Sequence, residues 1–152
     1  MPDKHAEEFY EIIDFAVDKE KEAVKFYADL ADLVQFKARK EMLEELADME
    51  RGHVAALENI RTGKIKMREA PQVQTMNISD YLVAVKPSSR LSYQDILITA
   101  MKREEASNRL YTDLAQLSAG EIKDVFERLA AEEAQHKLQF EELYNTEILQ
   151  DN

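Results

Sequence analysis

Glu50-Arg51-Gly52-His53 and Glu133-Ala134-Gln135-His136 decide how this 152-residue chain is read. Each Glu-x-x-His tetrad lies in a long segment whose apolar residues recur every three or four positions, the period of an amphipathic helix. Residues i and i+3 project from one side of a helix, so the glutamate and histidine of each tetrad can approach one point. Each tetrad also follows another helical segment that carries a glutamate on its apolar stripe, Glu20 in the first case and Glu104 in the second. Four carboxylates and two imidazoles in this pattern are the ligand set of a two-metal site inside a four-helix bundle.

An internal repeat joins these residues into one constellation. A shift of 84 residues lays Ala16 on Ala100, Glu20 on Glu104 and Tyr27-Ala-Asp-Leu-Ala-Asp-Leu33 on Tyr111-Thr-Asp-Leu-Ala-Gln-Leu117. A shift of 83 lays Glu44 on Glu127, Leu46-Ala47 on Leu129-Ala130, Glu50 on Glu133 and His53 on His136. The plainer alternative is a pair of histidines satisfied by carboxylates near helix surfaces. Helix-forming composition does not by itself repeat polar residues at inward positions, and that favours the metal site. Four ionised carboxylates balance the charge of two divalent cations; without metal they repel one another, and some take up protons. Carboxylate-rich ligand sets with one histidine per metal suit iron or manganese.

The rest of the chain fits long helices. It has three glycines and three prolines, and breaker-poor sequence with this period predicts an all-α fold. Helices are expected at about 4–33, 37–62, 92–118 and 120–147, in one domain spanning 1–152. Phe9, Ile12, Ile13, Ala16, Ala23, Phe26, Tyr27 and Leu30 form the inner stripe of the first helix. Ile96, Leu97, Ala100, Ser107, Leu110, Tyr111 and Leu114 form that of the third. Gly63 marks the end of the second helix, and Ser92 is an N-cap for the third. Short connections make each pair an antiparallel hairpin. The long connection at roughly 63–91, with Pro71 and Pro87, is the crossover that joins two hairpins in a ferritin-like arrangement. Within it, 77–85 forms a short extra helix capped by Asn77 or Ser79 that packs on the bundle.

Composition excludes several functions. A net charge of −11 leaves no basic stripe to neutralise nucleic-acid phosphates. The chain has no cysteine, hence no disulfide, thiolate-bound zinc or iron–sulfur centre. The N-terminus lacks a signal peptide's apolar run and no stretch is long and apolar enough for a bilayer, so a cytoplasmic location is expected.

The residues Ala16-x-x-x-Glu20, Tyr27, Glu50-x-x-His53, Glu104, Tyr111 and Glu133-x-x-His136 resemble the ferritin-like di-iron-carboxylate proteins. The resemblance is strongest to rubrerythrin-like (erythrin) domains and covers essentially the whole chain. It implies two iron ions bridged by Glu50 and Glu133, with Glu20 and Glu104 as terminal carboxylates and His53 and His136 each capping one metal. It also implies reduction of peroxide or dioxygen, re-reduction by a separate electron-donor protein, and pairing of chains into a homodimer. Two departures are plain. Rubrerythrins carry a further ligand glutamate three residues beyond the one on the third helix, where this chain has Ser107. Glu105 is adjacent but rotated off the inner face. Bacterioferritins share both tetrads but place a haem-ligating methionine where this chain has Arg51, and the chain ends too soon for a fifth helix.

Three functions follow as expectations: a di-iron oxidoreductase of rubrerythrin-like type, a ferroxidase that handles iron, or a non-catalytic bundle stabilised by metal. Tyr27 and Tyr111, seven residues beyond Glu20 and Glu104, either donate to ligand carboxylates or serve as core aromatics. Asp48 and Glu132 either orient a histidine or belong to a solvated face. Gly52 costs on the order of 1 kcal/mol relative to alanine in a helix, and packing is its expected reason. His5 and the Glu41, Glu44, Glu45 cluster read as surface.

Overall fold

Asp3 starts the first helix by accepting a hydrogen bond from the His5 amide at 3.1 Å, which satisfies a helix-end donor. The computed structural model describes residues 3–84 and 92–149. Four long helices follow one another: α1 (Lys4–Leu33), α2 (Lys37–Arg61), α3 (Tyr93–Leu117) and α4 (Gly120–Tyr144). Among the described residues between α2 and α3 there is a 3-10 turn, Ile78–Tyr81, and a π-helical turn, Asn145–Leu149, extends α4. The expected boundaries therefore hold within a few residues, and the π turn replaces the last part of the helix expected to reach 147. Among the described residues no helix is long and apolar enough to cross a membrane.

The chain divides into two compact units, Met1–Thr75 with Ser118–Ile122 and Met76–Leu117 with Lys123–Asn152. In the first, α1 and α2 run antiparallel. Lys21 Nζ lies 4.0 Å from Glu58, and Asp14, further back in α1, accepts from Arg61, further on in α2, at 3.0 Å. The Arg61 guanidinium also lies 4.4 Å over the Tyr10 ring, a cation–π contact that fixes the same end of the pair. Phe9, Ile13, Tyr27 and Leu30 of α1 and Leu46, Leu57 and Ile60 of α2 are buried. Each aliphatic or phenylalanine side chain buried this way contributes roughly 1.5–3 kcal/mol. The α2 helix ends as its glycine requires: Gly63 has φ +83, a left-handed conformation, and donates to Ile60 O at 3.3 Å.

In the second unit the same logic operates. Ser92 caps α3 by accepting from the Asp95 amide at 3.1 Å. Antiparallel pairing of α3 and α4 shows in Lys137 beside Glu105 at 3.8 Å and in Tyr111 stacked on Phe126 with ring centroids 6.4 Å apart. The 3-10 turn packs on α3 through Tyr81, whose buried hydroxyl donates to Asp113 Oδ2 at 2.5 Å. Burial and that carboxylate both push the Tyr81 phenol above its ordinary pKa.

Four expectations need correction. The extra helix is one turn, not nine residues, and Asn77 stands at its N-terminus without a side-chain cap bond. Leu82, Val83 and Ala84 follow it without helix, and Val85 and Pro87 lie outside the described residues. Phe26, Ile96 and Ser107 are only half-buried, because they sit at the margin of the apolar stripe. Gly52 is exposed, and a Cβ added there meets nothing within 4 Å, so close packing does not explain it.

Candidate metal centre

Glu20, Glu50, His53, Glu104, Glu133 and His136 are titratable exceptions to an apolar interior: each is only 1–2% exposed. Helical geometry explains why they turn inward. Glu20 lies between Ala16 and Ala23 on the buried stripe of α1, and Glu50 and His53 lie between Ala47 and Ala56 on that of α2. Glu104 follows Ala100 by one turn in α3, and Glu133 and His136 fall between Ala130 and Phe140 in α4. Alanines one turn from Glu20, Glu50, His53, Glu104 and Glu133 keep the stripe apolar beside these groups.

The first unit gathers Glu20, Glu50 and His53, each offering a donor atom within 4.8 Å of the others. His53 Nδ1 is 3.5 Å from Glu20 Oε2 and 3.7 Å from Glu50 Oε2. The second unit gathers Glu104, Glu133 and His136 within the same 4.8 Å limit. There His136 Nδ1 is 3.5 Å from Glu104 Oε2 and 3.8 Å from Glu133 Oε1. The repeat seen in the sequence is thus a repeat of three-dimensional geometry, with the same imidazole nitrogen facing both carboxylates each time.

These separations test whether the donor set suits a metal. A charge-assisted bond between imidazolium and carboxylate closes to about 2.7–2.9 Å, shorter than any of the four. Two ligand atoms that each stand about 2.0–2.2 Å from one ion lie roughly 3–4 Å apart, depending on the angle between them. The observed spacings fall in that second range. Burial points the same way, since an ionised carboxylate taken out of water costs several kcal/mol unless a cation or a proton offsets it. Oxygen and imidazole donors without thiolate suit iron, manganese or zinc, and not soft copper(I).

The Rubrerythrin family model matches residues 4–90 and 95–151. The chain belongs to the rubrerythrin family. A solved structure of a hypothetical protein from Pyrococcus furiosus is similar to it, with 25% identity, a TM-score of 0.70, and coverage of 90% of this chain and 88% of that one. No curated protein matches. Family and fold together make this an all-α, ferritin-like protein of the four-helix class, with a buried Glu/His cluster that suggests a metal site.

Of the residues read as surface in the sequence, Glu41, Glu44 and Glu45 lie there, whereas His5 is half-buried. Arg51, at the place of a bacterioferritin's haem ligand, is exposed and bonds Asp48 at 2.5 Å. Asp48 therefore belongs to the solvated face. Glu105 is exposed beside Lys137, so it does not take the place of the glutamate that Ser107 replaces. His5 contacts the Gln74 side chain at 3.2 Å, and Glu41, Glu44 and Glu45 are exposed. Tyr27 and Tyr111 are buried. One residue near the cluster went unread in the sequence: half-buried Asn108, which bonds across to α4. Its signal was a polar side chain one turn beyond Glu104, where the repeat has Val24.

Proposed function

We propose that the two triads close on one pair of iron ions and that the protein reduces peroxide or dioxygen with electrons from a separate donor protein. The observation that carries this reading is the duplicated Glu, Glu, His triad, buried and equally spaced in both units of a rubrerythrin-family chain. Glu50 and Glu133 would be shared between the ions, Glu20 and Glu104 would each bind one, and His53 and His136 would each cap one.

Iron held in the ferrous state by these residues would supply the electrons for reducing the oxidant. The side chains do the rest. Four carboxylates balance two divalent charges, so the loaded site carries little net charge and is stable in a low-dielectric surrounding. The neutral imidazoles add donors without adding charge. The Tyr27 and Tyr111 hydroxyls are assigned to steadying ligand carboxylates from the same helix faces, as outer donors commonly do. Ser107 provides no carboxylate, so ligand exchange by a further glutamate at that place has no part in the proposal. The proposal assigns re-reduction to a separate donor, as these residues include no cysteine to ligate an iron–sulfur centre.

The test is anaerobic mixing of the ferrous-loaded protein with hydrogen peroxide. Iron should oxidise faster than free ferrous iron at equal concentration, and with two irons consumed per chain. An unchanged rate with iron bound would remove the peroxidase reading. Uptake of many irons per chain into a mineral would favour iron handling instead.

A further inference from the structure

The two triads share ligands and spacing, and the second has a cross-helix bond at a place where the internal repeat puts a residue that cannot make one. One turn beyond Glu104 in α3, Asn108 Nδ2 donates to the Ala130 main-chain carbonyl in α4 at 2.7 Å. Ala130 stands three residues before Glu133. Only the amide nitrogen can face a carbonyl, so hydrogen-bond chemistry fixes the side chain's orientation. A helical carbonyl has a second lone pair, and the bond can form without breaking the helix ladder. In the repeat, Val24 stands for Asn108 and Ala47 for Ala130. Valine has nothing to donate. The ties from α1 to α2 at Asp14–Arg61 and Lys21–Glu58 join side chains that are 44–61% exposed, and such pairs contribute little.

We propose that Asn108 is a positioning residue that makes the Glu104, Glu133, His136 half-site the better organised of the two, so that metal fills it first. The proposal rests on the reading of the triads as metal ligands. A bond from a side chain to the main chain of the facing helix sets both the axial slide and the rotation of α3 against α4 at that level. The distance from Glu104 to His136 depends on both. Ligands already held in place lose less freedom when an ion binds, which raises affinity. Folding alone does not demand an asparagine here, because half-buried Val24 occupies the equivalent place in α1.

Cobalt(II) added to the metal-free full-length protein, followed by visible absorption and calorimetry, separates the possibilities. Wild-type protein should bind two cobalt ions in two resolved steps. Asn108→Val should weaken the first step about tenfold, within the range expected for one lost buried hydrogen bond, and leave the second unchanged. In a His53→Ala background, Asn108→Val should weaken the remaining cobalt; in a His136→Ala background it should have no effect. Asn108→Ala reads the same quantities should the valine variant fail to fold. Equal weakening of both steps, no change in either, or an effect that persists in His136→Ala overturns the proposal. A wild-type protein that binds no cobalt overturns the reading of the triads and this inference with it, whereas two bound ions insensitive to Asn108 overturn this inference alone.

Discussion

Replacing Glu133 with glutamine should raise the melting temperature of the metal-free protein and lower that of the metal-loaded protein. Glu104 and Glu133 are both 1% exposed and place donor atoms within 4.8 Å of each other. At an effective dielectric constant of about 20, two negative charges so placed repel by about 3–4 kcal/mol, an upper bound because proton uptake relieves part of it. Glutamine keeps the shape and removes the charge. A gain of about 2 kcal/mol in the metal-free state corresponds to roughly 4–8 °C in a chain of this size. With metal present the balance reverses, since the variant loses an anionic ligand and with it most of the stabilisation that binding provides. Calorimetry with and without chelator reads both signs in one pair of scans. A glutamine variant less stable than wild type in both states would show that Glu133 acts through hydrogen bonds and not as a repelled ligand.

Stripping metal from the wild-type protein should have a comparable effect. A ligand that binds only the folded state at about 1,000 times its Kd stabilises by about 4 kcal/mol, which is roughly 8–16 °C here. Chelation should lower the melting temperature by that amount, and restored ferrous or manganous ion should recover it. The pH dependence has a definite sign. Carboxylates and imidazoles must be deprotonated to bind, so protons compete with metal and the gap between loaded and stripped protein should narrow as the pH falls. A melting temperature indifferent to chelator at neutral pH would contradict a tightly held ion.

The sequence disclosed the helices and the cluster for one physical reason: both follow from period. Apolar residues three and four apart determine which face turns inward, and a polar residue on that face, such as Glu20 or His136, is legible as an anomaly. Repetition of the anomaly at Glu104 and His53 separated it from chance. Period does not tell how far the neighbouring helix covers a face, and so Phe26, Ile96 and Ser107 were placed deeper than they are. Nor does it reveal bonds between helices. Asn108 drew no reading from the sequence, because its role depends on the Ala130 carbonyl of the facing helix. Asn77 was read as a cap from its residue type, yet the turn it precedes is too short and too exposed to need its side chain. Gly52 was read as a packing residue because glycine within a helix suggests close approach, while the structure puts open space there.

The central claim is that the two triads serve one spin-coupled pair of ions and not two separate sites. Mössbauer and electron paramagnetic resonance spectra of the iron-loaded, oxidised protein test this most directly. The account predicts two irons per chain with a diamagnetic ground state at low temperature and no resonance from isolated ferric ions. Two magnetically independent irons, or less than one bound iron per chain after anaerobic loading, would contradict it.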